Sequence, residues 1–208
     1  MQVKDKIIVV TGGASGIGRE LASRFIKEGA ARVVFADRNE DGLNAVATDI
    51  GALPKVTDVA NESEIRELVQ FTEDQAGPID LFCSNAGIAV YGDLGNSNQE
   101  WQRVWEVNLM SHVYAARAVV PKMIARGGGY LLNTAAAAGL LSQIGSSTYS
   151  VTKHAAVGFS EWLSITYGDR GINESLLCPQ AVRTAMTANL ENGGVAGCLL
   201  YTSDAADE

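Results

Sequence analysis

The sequence predicts an α/β protein in which a parallel sheet carries helices on both faces. Short β-branched runs alternate with amphipathic segments of helical spacing along most of the chain. A glycine-rich turn joins the first predicted strand directly to the first predicted helix, and no linker or repeat interrupts the pattern. Such alternation is typical of a doubly wound sheet, so we expect a single domain of this kind.

Each element follows from its local pattern. A β-branched run at residues 7–10 begins the chain, and Gly29 ends the first helix. Three glycines at 127–129 end the long amphipathic segment, and Pro179 closes the last strand. The predicted strands are residues 7–10, 32–36, 53–56, 79–84, 130–134 and 172–178, and the predicted helices are residues 19–28, 40–50, 62–75, 99–125 and 148–167.

Composition excludes several classes of protein. The chain has 208 residues, 47% of them apolar, which suffices for one domain with a sizeable core. A net charge of −8 argues against nucleic acid or an anionic membrane as the main partner. No apolar run reaches the roughly 18 residues of a membrane span, and the N-terminus lacks a signal-peptide pattern. We therefore expect a cytoplasmic protein.

The cysteines and histidines predict no metal site. Cys83, Cys178 and Cys198 form no C-x-x-C motif, and His112 and His154 cannot make a metal cluster alone. We interpret Cys83 and Cys178 as buried thiols in a reducing compartment. We expect His112 to be a packed helix residue and not a proton carrier.

The glycine-rich turn has the position of a phosphate-binding loop. Gly12, Gly16 and Gly18 stand in the spacing G-x-x-x-G-x-G between strand and helix. Such a turn lets the backbone approach a pyrophosphate and directs the helix N-terminus at it. A simple tight turn would have the same composition, so the glycines alone do not decide.

Asp37 strengthens the nucleotide interpretation. It ends the second predicted strand, about 20 residues beyond Gly18, where a carboxylate can accept hydrogen bonds from the ribose hydroxyls of an adenosine. Like charges would repel a 2′-phosphate there, which favours NAD over NADP. Arg38 can pair with that phosphate, so NADP stays open as the less favoured cofactor.

Tyr149 and Lys153 stand four residues apart in a predicted helix. This spacing stacks a phenol and an ammonium on one helix face. A cation that close favours the phenolate, so we expect a lowered pKa for Tyr149 that suits acid/base catalysis. A solvated surface pair has the same spacing, and the pattern alone leaves both interpretations open.

Five motifs occur together in a characteristic order. They are T-G-G-A-S-G-I-G at 11–18, Asp58-Val59, Asn85-Ala86-Gly87, Asn108, and Tyr149-x-x-x-Lys153. From the first residue to about residue 197, the chain resembles the short-chain dehydrogenase/reductase family. The resemblance implies a Rossmann-type α/β/α fold with strand order 3-2-1-4-5-6, in which the family's seventh strand is missing.

The resemblance also implies an oxidoreductase that transfers a hydride between nicotinamide and a secondary alcohol or ketone. Tyr149 would be the acid/base, and Lys153 would bind the nicotinamide ribose. Asn108 would hold a water in a proton relay, although a buried polar residue at a helix irregularity would look the same.

The same resemblance assigns a set of cofactor contacts. Asp58 and Val59 would meet the adenine, and Pro179 and Thr184 would meet the carboxamide, although Gln180 stands where the family has glycine. The full implied set is Gly12, Ser15, Gly16, Ile17, Gly18, Asp37, Arg38, Asp58, Val59, Asn85, Ala86, Gly87, Tyr149, Lys153, Pro179, Val182 and Thr184.

Ala136 departs from the family pattern, because it occupies the position of the catalytic serine. Alanine offers no hydrogen bond, and losing one donor to the substrate oxygen costs about 10²–10³ in rate. Thr134 lies about 7 Å away along the strand and Ser142 lies past the turn, so neither is a convincing substitute. We predict weaker turnover than in an Ala136→Ser variant.

Two other features are unusual. Glu174 lies in a strand predicted to be buried, and it therefore needs a partner. Residues 198–208 match the in-frame translation of a transposase sequencing adaptor, so we expect the native domain to be residues 1–197 and the rest to be a non-native tail.

Three functional hypotheses follow. The first is an NAD(P)-dependent oxidoreductase acting on a small-molecule alcohol or carbonyl substrate. Ala136 favours a second, a cofactor-binding homologue without turnover, and the third is an inert fragment of a longer gene.

The resemblance further implies a homodimer or homotetramer, with dimer contacts through the helices at about 99–125 and 148–167. The polar segment at 186–193 does not identify the substrate.

Overall fold

The computed structural model describes residues 1–180 together with residues 182, 184 and 186. The proposed non-native tail at 198–208 lies outside these residues. The strands are β1 Ile7–Thr11, β2 Arg32–Asp37, β3 Leu53–Val56, β4 Leu81–Ser84, β5 Gly129–Thr134 and β6 Ile172–Leu177. The helices are α1 Gly16–Lys27, α2 Glu40–Ile50, α3 Glu62–Gln75, α4 Asn98–Trp105, α5 Ser111–Ala125 and α6 Ser147–Tyr167.

The described residues form one parallel sheet with strand order β3-β2-β1-β4-β5-β6. This confirms the predicted fold class and strand order. Within the same part of the chain, no helix is long and apolar enough to cross a membrane.

The central strand β1 is buried on both faces of the sheet. Ile8 and Val10 pack into one cluster with residues of α1 and α2, while Val9 joins a second cluster with residues of α3, α5 and α6. Successive side chains of a strand point to opposite faces, so an unbroken apolar run serves both clusters. The carboxyl ends of β1 and β4 are thereby fixed side by side at one edge of the sheet.

The prediction that β6 is a buried strand was wrong. Only Ile172 is buried there and Asn173 is exposed, because β6 is the outermost strand on its side of the described sheet. Glu174 does have the partner that its position required: Asn133 Nδ2 donates to its Oε1 at 3.2 Å. Burial raises the pKa of Glu174, while hydrogen bonds from Ser160 and Asn133 oppose that shift.

The predicted continuous helix over 99–125 was also wrong in detail. A π-helix at Glu106–Met110 separates α4 from α5. Such a segment inserts an extra residue into the helical turn and commonly marks a functional site. Asn108 lies in this π-helix, so the alternative of a buried polar residue at a helix irregularity describes its position correctly.

Candidate active site

A cleft runs along the carboxyl edge of the sheet, where the turns after β1 and β4 diverge. Ligands of open parallel sheets bind at this kind of switch point. The cleft is lined by 15 residues of the implied cofactor set: Gly12, Ser15, Gly16, Ile17, Asp37, Arg38, Asp58, Val59, Asn85, Ala86, Gly87, Tyr149, Lys153, Pro179 and Thr184. Gly18, Val182, Asn108 and Ala136 do not line it. The other lining residues are Thr57, Ile88, Arg103, Val107, Thr134, Ala135 and Met186.

The glycines of the first turn allow close packing that side chains would block. A Cβ at Gly18 would lie 2.1 Å from the carbonyl oxygen of Gly12. Gly12 itself has φ +70°, and a Cβ there would lie 2.9 Å from Cα of Ala86. Gly18 therefore allows the turn to pack closely on itself. Gly12 and Gly16 face the cleft, and α1 begins at Gly16.

Asp37 is held at the end of β2 by two backbone donors. Its Oδ2 accepts a hydrogen bond from Ala14 N–H at 3.2 Å, and its Oδ1 accepts one from Asn39 N–H at 3.0 Å. The carboxylate is half-buried and borders the cleft, and the exposed Arg38 borders it as well. Acidic and basic side chains thus stand side by side at the predicted ribose position.

Asn85 connects the ends of three strands. Its Nδ2 donates to the carbonyl oxygen of Thr11 at 3.1 Å, and its backbone N–H donates to the Thr11 hydroxyl at 3.0 Å. Its Oδ1 accepts the hydroxyl proton of Thr134 at 3.2 Å. Because this bond occupies the Thr134 hydroxyl, Thr134 does not substitute for the missing serine.

Asn108 uses its side chain to hold the strand-end loop and α6 together. Its Oδ1 accepts from Ile88 N–H and its Nδ2 donates to the Ile88 carbonyl, both at 2.9 Å. The same Nδ2 donates to Thr152 Oγ1 at 3.2 Å. The fully buried Asn108 amide therefore holds these two segments together.

Lys153 is a buried cation at the inner end of the cleft. It is 2% exposed, its Nζ donates to the Thr134 carbonyl at 2.9 Å, and burial lowers its pKa to about 8. Its Nζ also lies 5.6 Å from the centroid of the Tyr149 ring. The two side chains share one helix face, as their spacing predicted.

The expected lowering of the Tyr149 pKa was wrong for this structure. Burial raises the pKa of Tyr149 to about 12, and the neighbouring Tyr91 phenol acts in the same direction. Burial penalises the phenolate, and the Lys153 ammonium is directed at the Thr134 carbonyl. The phenol is consequently a neutral proton donor at neutral pH.

Ala136 lies in extended backbone, 5% exposed, just before a short 3-10 helix at Ala137–Gly139. The neighbouring Ala135 N–H donates to the Leu177 carbonyl at 2.8 Å, and Ala137 N–H donates to the Pro179 carbonyl at 2.9 Å. These bonds fix the segment against the end of β6, so the Ala136 methyl group occupies a defined position without offering a donor.

Arg103 is a cleft residue that the sequence analysis missed. It forms an ion pair with Asp58 at 3.1 Å, and Val107, four residues later, also lines the cleft. The i, i+4 spacing placed both on one helix face and was an available signal.

His112 is 1% exposed, with its pKa lowered to about 3 chiefly by burial, which agrees with a packed residue.

The model of the short chain dehydrogenase family matches residues 6–193. The chain belongs to this family. It is 36% identical over 201 residues to the 1-deoxy-11-beta-hydroxypentalenate dehydrogenase of Streptomyces exfoliatus, covering 91% of this chain and 72% of that relative. It is 34% identical over 185 residues to the 3beta-hydroxysteroid dehydrogenase 2 of Eggerthella lenta, covering 85% of this chain and 70% of the relative.

Solved structures of short-chain dehydrogenases share the fold. One from Burkholderia phymatum in complex with NAD superposes with a TM-score of 0.87 at 30% identity, covering 92% of this chain and 71% of that chain. A variant of the actinorhodin polyketide ketoreductase with NADPH gives 0.86 at 32% identity, covering 92% and 76%. This short-chain dehydrogenase is therefore an oxidoreductase by family membership. The solved structures similar to it include one with NAD and one with NADPH.

Proposed function

We propose that the chain transfers a hydride between NAD and a secondary alcohol or ketone, with Tyr149 as the acid/base. The observation that carries the proposal is the buried Lys153 ammonium beside the half-buried Tyr149 phenol, at one end of a cleft that has Asp37 on its border. The glycine turn supports a dinucleotide, because Gly12 and Gly16 border the cleft and α1 begins at Gly16, so that a pyrophosphate could approach the helix N-terminus.

The protein's own part in the reaction is proton transfer. Bound nicotinamide would supply or accept the hydride at its C4 atom. In ketone reduction, the neutral Tyr149 hydroxyl gives its proton to the carbonyl oxygen as the hydride reaches the carbonyl carbon. The resulting phenolate would need the Lys153 ammonium, now bonded to the Thr134 carbonyl and 5.6 Å from the ring centroid, to offset its charge; in alcohol oxidation that phenolate would take the hydroxyl proton back.

Asp37 supports NAD as the cofactor. Its carboxylate would accept from ribose hydroxyls and would repel a 2′-phosphate. Arg38 at the same border could offset that repulsion, which keeps NADP as the second choice. The remaining cofactor contacts, including Gly18 and Val182 outside the cleft lining, are part of this proposal.

Ala136 favours a second function, cofactor binding without turnover. A titration with NAD and NADP, followed by a panel of secondary alcohols and ketones, separates the two. Hydride transfer by the unmodified chain supports the oxidoreductase. Cofactor binding with transfer only after Ala136→Ser supports the second function, and a chain that neither folds nor binds supports the inert fragment.

We infer in addition that the chain forms a homodimer through α5 and α6, in the cytoplasm. A groove of about 580 Å³ lies between these helices and is lined by Val113, Ala116, Arg117, Val120, Pro121, Ile124, Phe159, Trp162, Leu163, Tyr167 and Arg170. Trp162 of this lining is 51% exposed, and Ile165, three residues later on α6, is 84% exposed. A second copy of these helices would cover that apolar surface.

A further inference from the structure

Arg103 meets Asp58 inside the cleft, although 45 residues separate them in the chain. Arg103 Nη2 lies 3.1 Å from Asp58 Oδ2 and 3.4 Å from Oδ1, so one guanidinium nitrogen contacts both carboxylate oxygens. Both side chains line the cleft and are a little over one third exposed. The pair therefore borders the space where the proposed cofactor would place its adenine.

A second carboxylate stands next to Asp58. Glu64 Oε2 accepts a hydrogen bond from the backbone N–H of Asp58 at 2.7 Å, and Asp58 Oδ1 accepts from Ala60 N–H at 3.0 Å. Glu64 thus fixes the backbone of this turn. The Asp58 side chain itself is held by Ala60 N–H and by Arg103.

The two carboxylate oxygens of Asp58 have different numbers of hydrogen-bond partners. Oδ1 accepts from Ala60 N–H and lies near Arg103, whereas Oδ2 has Arg103 as its only hydrogen-bond partner among the residues that the structure describes. A carboxylate oxygen can accept more than one hydrogen bond. Oδ2 can therefore accept a further donor from a ligand in the cleft.

We propose that Arg103 is a positioning residue for adenine recognition, holding Asp58 so that it accepts a hydrogen bond from the 6-amino group of adenine. This inference rests on the proposed NAD site. An ionised carboxylate only accepts hydrogen bonds, so it selects an amino group and rejects the carbonyl oxygen of hypoxanthine at the same ring position. Without Arg103, Ala60 N–H would be the one hydrogen bond left to the Asp58 carboxylate among the described residues, so Oδ2 would no longer be fixed and that selection would be weakened.

The test compares dissociation constants for NAD and for nicotinamide hypoxanthine dinucleotide, in which a carbonyl oxygen replaces that amino group and the adjacent ring atom N1 carries a proton. The full chain, Arg103→Gln and Arg103→Lys are titrated by fluorescence, and their melting temperatures are recorded. Arg66→Gln serves as the control, because Arg66 pairs with Glu62 at 3.4 Å on α3 and does not line the cleft.

We expect the full chain and Arg66→Gln to prefer NAD by about tenfold, the value of one good hydrogen bond to a charged group. Arg103→Gln should reduce that preference to about twofold or less, mainly by weakening NAD, and Arg103→Lys should keep part of it. The inference about Arg103 is overturned if Arg103→Gln keeps the full preference for NAD over the hypoxanthine dinucleotide. It is also overturned if the full chain binds NAD but shows no such preference, and in both cases the proposed function stands. A full chain that binds neither dinucleotide overturns the proposed function as well.

Discussion

The Lys153 ammonium donates a hydrogen bond to the backbone carbonyl of Thr134 at 2.9 Å, which ties α6 to the end of β5. The hydroxyl of the same Thr134 donates to Asn85 at the end of β4. One threonine thus anchors the buried cation and the strand-end loop of the cleft. The hydroxyl that the family places two residues later is absent, because that residue is Ala136.

Restoring the serine should raise turnover. Ala136→Ser adds a donor toward the substrate oxygen, in a segment already fixed by the backbone hydrogen bonds of Ala135 and Ala137. We expect kcat to rise by about 10²–10³ with little change in NAD affinity. Steady-state kinetics with the best ketone of a panel measure this, and Ala138→Ser in the same turn is the control. Equal turnover of parent and Ala136→Ser would show that the missing hydroxyl does not matter.

Removing the carboxylate at position 37 should change cofactor preference. Asp37→Ser removes the acceptor proposed for the ribose hydroxyls and the charge that opposes a 2′-phosphate, while Arg38 remains. We expect NAD to bind about tenfold or more weakly, whereas NADP binds no more weakly than to the parent. Titrations with both dinucleotides test this, with Asp49→Ser as control, since Asp49 is exposed and pairs with Arg19 at 3.5 Å. A parallel loss for both cofactors would contradict the assigned role.

Burial of Lys153 should make stability depend on pH. Its pKa falls from 10.5 to about 8 on folding, so between these values the unfolded chain binds more protons than the folded one. Stability therefore falls as the pH drops from 10.5 to about 8, because the buried Lys153 takes up its proton less readily than the unfolded chain does. The contribution of Lys153 to the free energy of unfolding is fully present only above pH 10.5. Lys153→Met removes this term.

We expect the melting temperature of Lys153→Met, relative to the parent, to be highest below pH 8 and to fall steadily toward pH 10.5. Thermal denaturation followed by circular dichroism measures the difference. Lys27→Met, which alters an exposed lysine of α1, is the control and should show no such trend. A difference that is constant across this range would mean that Lys153 does not carry a depressed pKa.

A charge on the exposed face of α6 should prevent dimer formation. Ile165 is 84% exposed, so Ile165→Asp leaves the fold intact while placing a carboxylate in the proposed interface. We expect a dimeric parent and a monomeric variant in light scattering at matched concentration. Leu94→Asp, at a residue 93% exposed that lies outside α5 and α6, should stay dimeric. A parent that is monomeric throughout would refute the interface.

The sequence predicted the sheet because its signals are local. The β-branched run of β1 and the glycines after it lie within a few residues of one another, and their spacing fixes strand, turn and helix. The Asp58–Arg103 pair was missed because it depends on how α4 is rotated against a loop 45 residues earlier. The pKa of Tyr149 was misjudged because helical spacing shows that Lys153 is near, but not that Lys153 is buried and Tyr149 half-buried.

The most direct test of the account is hydride transfer in an Ala136→Ser background with and without Tyr149→Phe. NADH formation or consumption is followed over a panel of secondary alcohols and ketones, and NAD affinity is measured on the same samples. We predict that Tyr149→Phe lowers turnover by about 10²–10⁴ and changes NAD affinity by less than about twofold. Equal turnover with phenylalanine at position 149 would contradict Tyr149 as the acid/base.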